Sequence, residues 1–373
     1  MARALEHLVV VDFSRVLAGP LSTMLLADFG ATVIKVERGG PEGTGDDTRA
    51  WGPPYDDRGT ATYFLSVNRN KRSVALDLSD EDDLRRAREL VAGADVVVEN
   101  FRPGVMDRLG LGWERLSAAD PALVYCSITG FGAGAGAALP GYDLLIQALG
   151  GLMSVTGPAE GEPQKVGVAL VDVIAGLFAT VGILAALRHR ERTGEGQRVE
   201  VDLLSSLLAA LVNQASAYTA AGVVGQRMGN AHPSIAPYEL YPAQDGELVL
   251  AVGNDRQFAA LCEVLGVPAL ADDPDFAVND RRVANRGRLR ELLEARLAQR
   301  PAADWIAALS DASVPAGAVN DIAGAFALAE QLGLDPIVEL PREDGTSVRL
   351  PRNPIRLSGT PVAYDSAPPE LPR

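Results

Sequence analysis

Cysteine and histidine are scarce in this chain: its 373 residues hold two cysteines, Cys126 and Cys262, and three histidines, His7, His189 and His232. Neither set has the paired spacing of a zinc site, and two cysteines in apolar settings are not a disulfide framework. No metal and a reducing compartment are therefore expected. The histidines read as structural; His189 sits among Arg188, Arg190 and Arg192 at a predicted helix end, where positive charge suits the dipole. Basic charge is short as well, 34 Lys and Arg against 49 Asp and Glu for a formal net charge of -15. That balance argues against nucleic acid as a partner, because neutralising phosphate backbones takes a basic patch. A membrane-spanning run is missing too. The apolar stretch from Val173 to Leu187 is shorter than the ~20 residues that cross a bilayer, and Gly176 and Gly182 interrupt it. The first residues, MARALEHLVVVDFS, lack the apolar run and flanks of a secretory signal. A soluble cytoplasmic protein with no membrane partner is the expectation.

What is present is the balance of a globular protein, 47% hydrophobic and 22% charged. The length predicts two domains, or one large domain with an excursion. Residues 8 to 130 alternate short strand-like runs (LVVVDFS, ATVIKVE, DVVVENF, LVYCSITG) with helical patterns, and runs so rich in β-branched residues fit strands buried on both faces of a parallel sheet. In SDEDDLRRARELVAGA, Ser79 and Asp82 resemble a capping box, and Leu84, Ala87, Leu90 and Val91 share one helical face. The fold class is therefore α/β, with a doubly wound large domain over residues 1–225. Beyond the linker-like GVVGQRMGNAHP, the run YELYPAQDGELVLAVG reads as a hairpin turning at Asp245-Gly246. Phe258, Leu261, Cys262 and Leu265 follow at helical spacing, as do Leu289, Leu292, Leu293 and Leu297, which gives a smaller α+β domain over residues 226–325. Residues 326–373, proline-rich with a second Asp-Gly turn at 344–345, predict an extended arm that returns to the large domain or lies on a second subunit.

Three groups of residues could carry chemistry. The first is the glycine-rich GFGAGAGAALPG, which follows a strand. The third position of G-x-G-x-x-G falls on Ala135 or Ala137, so the dinucleotide fingerprint is poor and neither nicotinamide nor flavin is expected; a loop over a pocket is the better reading. The second group is basic. Parallel sheets bind ligands at the carboxyl ends of their strands, where Arg38 and Arg102 would lie. With Arg69, Lys71 and Arg72 of NRNKRS, they are either scattered surface charge or a site for a phosphate-bearing ligand. The third is Asp172, the one ionisable residue between Lys165 and Arg188, heading fifteen uncharged residues. An unpaired buried carboxylate is costly. Asp172 is either an N-cap of the helix that follows, or a nucleophile kept ionised by that helix's N-terminus.

These residues lie in stretches that resemble the class III CoA-transferases, the family that includes formyl-CoA transferase, carnitine CoA-transferase and α-methylacyl-CoA racemase. The matching stretches include VLAGPLSTMLLADFGATVIKVE, NRNKRSVALDL, VVVENFRPGVMDRLGLG, GYDLLIQALGGLMSVTG, the Asp172 segment with RTGEGQ, and PYELYPAQDGELVLAVGNDRQF. The resemblance implies a large Rossmann-like CoA-binding domain, a small domain, and two ring-shaped subunits threaded into an interlocked homodimer. It implies Asp172 as the catalytic nucleophile, and coenzyme A contacts at Val16, Leu17, Ala18, Arg38, Lys71, Asn100, Phe101, Arg102, Arg108, Tyr142 and Asp143. Gly253 and Asn254 are candidates on the acceptor side, as donors to a tetrahedral oxyanion.

The implied reaction moves CoA from an acyl-CoA to a free carboxylic acid through a mixed anhydride and an aspartyl-CoA thioester, with no metal or redox cofactor. Similarity over residues 230–258 leans toward members that use succinyl-CoA or another dicarboxyl-CoA. The family's racemases carry a histidine directly before the aspartate in the segment that here reads Gly141-Tyr142-Asp143. A tyrosine, with an ordinary pKa of ~10, is a poor base at neutral pH. Transfer is therefore expected over the alternative, racemisation by α-proton exchange.

Overall fold

In a computed structural model, residues 2–41 and 43–372 are described, and the chain divides into two compact units. The larger comprises Met1–Leu152, Val166–Val223 and Leu334–Arg373. Its strands β1 (Val9–Asp12), β2 (Thr32–Arg38), β3 (Lys71–Leu76), β4 (Val96–Glu99), β5 (Val124–Thr129) and β6 (Arg198–Asp202) form one parallel sheet in the order β3-β2-β1-β4-β5-β6. The two-residue period of a strand explains its apolar runs. Val10, Val96, Val98, Val124, Cys126 and Ile128 point into one core, and Val11, Val97 and Tyr125 into the other.

Helix α1 (Ala18–Asp28) and the 24-residue helix α4 (Leu170–Thr193) bury residues in the first core; α2 (Glu81–Ala92) contributes Ala87 and Val91 to the second. The cap of α2 is Asp80, whose carboxylate accepts from the N–H groups of Asp82 and Asp83. Ser79 turns away and donates its hydroxyl to Asp77 Oδ1 at 2.6 Å, so the expected Ser79–Asp82 box is replaced by an aspartate one residue later. Strand β3 also starts earlier than its apolar run, which places Lys71 and Arg72 inside the sheet. The long α4 buries Val171, Ala175, Ala179 and Ile183, leaving Leu177, Phe178 and Val181 outward-facing. Its length and composition would suit a membrane span, yet this inward face belongs to the core of the sheet.

Two elements close the larger unit. The hairpin of Ile337–Pro341 and Ser347–Pro351 leads into a tail whose Ala363 N–H donates to Asp28 O at 2.7 Å and whose Ser366 O accepts from Asn70 N–H at 3.1 Å. The Asp28 carboxylate gathers Arg69, Asn70 and Asn353 at 2.5 to 2.9 Å. The arm therefore lies on its own chain.

The smaller unit, Met153–Lys165 and Val224–Gly333, has its own antiparallel sheet of β7 (Tyr238–Pro242), β8 (Glu247–Ala251) and β9 (Ala316–Gly317). Its core joins Tyr241, Leu248 and Leu250 to Phe258, Leu261, Leu289, Leu293 and Trp305 from the flanking helices. The turn at Asp245-Gly246 is where the sequence expects it, and so is the one at 344–345, between β10 (Ile337–Pro341) and β11 (Ser347–Pro351) in the larger unit. Cys126 and Cys262 are both free and buried.

Candidate active site

The strand order reverses direction between β1 and β4, and loops leaving a parallel sheet at such a point diverge to form a crevice at its carboxyl edge. A cavity of about 230 Å³ lies there. The loop after β1 lines it with Arg15, Val16, Leu17 and Ala18, the loop after β4 with Asn100, Phe101 and Arg102, and the glycine-rich segment after β5 with Gly130, Phe131 and Gly141. Tyr142 and Asp172 complete it. Of the fourteen positions expected to act, eight are thus brought together: Val16, Leu17, Ala18, Asn100, Phe101, Arg102, Tyr142 and Asp172.

The first loop is held by polar groups beneath it. Asp12, at the end of β1, accepts from Ser14 N (2.9 Å), the Ser14 hydroxyl, Thr23 Oγ1 (2.6 Å) and Lys71 Nζ (3.1 Å). Burial raises its pKa, but Lys71, Lys35 and the two hydroxyls outweigh that and keep it below the usual carboxylate value. Lys35, also fully buried, donates to Ser14 O and pairs with Asp46 Oδ2, each at 2.9 Å. Asp46 in turn faces the N–H of Val16 at 3.3 Å. Val16 needs that support: its φ of 70° is left-handed, a strained state for a β-branched side chain. Across the crevice, Asn100 clasps the backbone of Arg15, accepting from its N–H at 2.9 Å and donating to its carbonyl at 2.8 Å.

Glycines set two close approaches. A Cβ on Gly176 would lie 2.6 Å from Ala18 O, so this glycine, one turn beyond Asp172, lets α4 touch the start of α1. A Cβ on Gly141 would lie 2.6 Å from the Cα of Gly130, which pinches the base of the glycine-rich loop beside the cavity.

Asp172 is the third residue of α4 and not its N-cap, a position held by Ala169. The capping is done from elsewhere. Asp143, the first residue of α3 (Asp143–Leu149), accepts from Val171 N–H through Oδ1 at 2.8 Å and from Gln147 Nε2 through Oδ2 at 2.7 Å. The Asp172 carboxylate is left facing the cavity. Burial, followed by the negative charge of Asp143, pushes its pKa up to about 7, so the helix N-terminus does not keep it an ordinary, fully ionised carboxylate.

Within the larger unit, Arg38, Lys71, Arg108 and Asp143 do not line this cavity. Lys71 is fully buried in its pair with Asp12, and also donates to Pro20 O and Asn68 Oδ1. Burial pulls it down to about 8 against the pull of Asp12. Arg38 is exposed and pairs with Asp47 at 2.6 Å; Arg108 is exposed at the end of a short helix. Asp143 acts as the cap just described. In the smaller unit, Asn254 caps α5 (Asp255–Val264) by accepting from Gln257 N–H, and the Gly253 N–H is itself donated to Gln257 Oε1 at 2.9 Å. That N–H is therefore engaged in the chain's own bonding. Arg15 is the cavity residue that sequence reasoning missed, although a charge directly after β1 answers the same rule that singled out Arg38 and Arg102. Among the described residues, no group of three or more His, Cys, Asp or Glu side chains could hold a metal ion.

Known proteins resemble this chain along nearly its whole length. The succinate–glutarate CoA-transferase of Agrobacterium fabrum is 43% identical over 98% of this chain and 92% of its own length. The succinyl-CoA:glutarate CoA-transferase of mouse is 41% identical over 99% and 84%. A crystal structure of a CAIB/BAIF family protein from Brucella suis superposes with a TM-score of 0.87 at 45% identity, covering 100% of this chain and 97% of that one. Because the family model of CoA-transferase family III matches residues 5–373, nearly the whole chain, the protein belongs to that family and is a CoA-transferase.

Proposed function

We propose that the enzyme moves CoA between dicarboxylic acids, with succinyl-CoA or a close analogue as donor, by nucleophilic catalysis at Asp172. The observation that carries this reading is the Asp172 carboxylate, desolvated and facing a cavity at the carboxyl edge of the sheet. The activities for which the Agrobacterium and mouse relatives are named support the substrate class.

Asp172 attacks the donor thioester, forming a mixed anhydride and releasing CoA thiolate. The thiolate attacks the aspartyl carbonyl, releasing the donor acid as its carboxylate and leaving an aspartyl-CoA thioester. The acceptor carboxylate then attacks that thioester, and the thiolate returns to the acceptor carbonyl, restoring Asp172. Each step exchanges one acyl bond for another, so the sequence needs neither ATP nor a redox group. The apolar wall and glycine-rich loop keep water from the anhydride.

We also infer the interlocked homodimer. Leu177, Phe178 and Val181 on α4, and Leu208 and Val212 beyond β6, are apolar and 44% to 67% exposed in the single chain, which supports burial against a second subunit. Light scattering that gives a monomer mass would end that part.

The test of the chemistry is intact-protein mass spectrometry with succinyl-CoA. A covalent CoA adduct mapped to Asp172, absent from Asp172→Asn, is the expected result. Full transfer activity in Asp172→Asn, or α-hydrogen exchange with deuterated water in the absence of an acceptor acid, would overturn it.

A further inference from the structure

The cavity holds a second unspent charge that the proposed steps do not use. Arg15 lines it together with Asp172. The side chain is half-buried, and its Nε is buried without any hydrogen-bond partner. Other cations of this unit are paired with carboxylates: Lys35 with Asp46, Lys71 with Asp12, Arg69 with Asp28, Arg49 with Glu37. The carboxylates of Asp47, Asp46 and Glu37 act on Arg15 but only in part offset its burial. One face of the guanidinium lies over the Phe101 ring at 5.1 Å, and burial followed by Arg38 opposes its charge. An arginine stays protonated, so this guanidinium lines the same cavity as Asp172 with its Nε held unpaired at a cost.

Two anionic partners suit such a fork, the phosphates of CoA and a carboxylate on the acyl group. Phosphates carry several charges and a large hydration shell, and an exposed arginine such as Arg102, which also lines the cavity, suits them. A half-desolvated, planar and solitary guanidinium matches one carboxylate bound through two parallel N–H bonds. We propose that Arg15 binds the distal carboxylate of a dicarboxylic acyl group, and so makes the enzyme choose dicarboxylic over monocarboxylic substrates of the same length. The backbone clasp from Asn100 fixes the segment without using the Arg15 side chain, which leaves that side chain free for substrate.

The inference rests on the transfer reaction proposed above and deepens it. It is tested with matched pairs: succinyl-CoA with glutarate, against butyryl-CoA with valerate, which lack only the second carboxylate. In Arg15→Gln, kcat/KM for the dicarboxylic pair is expected to fall about a hundredfold, the loss of a charged double hydrogen bond, while the monocarboxylic pair changes less than about threefold. The Kd of free CoA by calorimetry stays within about threefold, and Arg15→Lys recovers part of the dicarboxylic rate. An equal loss for both pairs, or a weakened CoA complex, assigns Arg15 to the coenzyme and overturns the proposal. No loss for either pair overturns it too. Wild-type enzyme that fails to transfer CoA from succinyl-CoA to glutarate brings down the reaction and the inference together; wild-type transfer with an unselective Arg15→Gln brings down the inference alone.

Discussion

Replacing Asp172 by asparagine is expected to stabilise the protein above neutral pH while abolishing transfer. The carboxyl has a pKa of about 7 in the folded chain against a reference of 3.8. Between those values the folded state holds the proton that the unfolded state has released, so raising the pH across this window penalises folding. The penalty is absent below 3.8 and complete above 7. At 1.36 kcal/mol per unit, a rise of about three units corresponds to ~4 kcal/mol. For domains of 150–250 residues this is ~8–16 °C in Tm. The assay is thermal unfolding of wild type and Asp172→Asn at equal protein concentration, followed by far-UV circular dichroism from pH 4 to pH 8.5. The two curves should coincide near pH 4 and diverge steadily to pH 7.5. A variant less stable than wild type at pH 8, or a difference independent of pH, would refute the argument that this carboxylate is desolvated and unpaired.

Three further outcomes follow from the same geometry. The rate of Asp172 acylation by succinyl-CoA in single turnover should rise roughly tenfold per pH unit below about 7 and level off above it; a flat profile from pH 5.5 to 8.5 would show that another group limits the attack. Lys71→Met should cost ~3–5 kcal/mol in chemical denaturation, because it strands Asp12 in the core. Unchanged stability with weakened CoA binding would instead return Lys71 to the coenzyme site. Gly141→Ala drives a methyl into the Gly130 backbone and should lower kcat/KM on the order of a hundredfold by shifting the cavity wall. Gly134→Ala, which meets nothing within 4 Å, is the control and should leave the rate unchanged.

Much of the framework is legible in the sequence because its causes are local. Strands with valine on both faces, Asp-Gly turns and a lone carboxylate ahead of an apolar run each declare themselves within a dozen residues. The misreadings involve partners distant in sequence. Asp172 looks like an N-cap because nothing near Ala169 can serve, but the capping carboxylate, Asp143, comes from the helix before. Lys71 reads as a surface cation until β3 aligns beside β2 and its ammonium meets Asp12, fifty-nine residues upstream. Arg15 carries no motif; its meaning lies in an Nε left without a hydrogen-bond partner once the loops after β1 and β4 close around it.

The raised pKa of Asp172 also bears on the reaction itself. In the proposed sequence a carboxylate must displace a thiolate, and the equilibrium of such an exchange follows the difference in basicity between the two. An alkyl thiol has a pKa of ~8.5. A carboxylate with its reference value of 3.8 would be roughly five units less basic, so the anhydride would lie far uphill and the thiolate would return to the donor carbonyl before anything else occurred. At about 7 the gap narrows to under two units. The desolvation and the Asp143 charge that weaken the fold at neutral pH are therefore the same terms that bring nucleophile and leaving group toward balance, as both half-reactions of a reversible transferase require. An external cation placed against Asp172 would restore stability and reopen that gap, which is a physical reason for Arg15 to share the cavity without pairing with it.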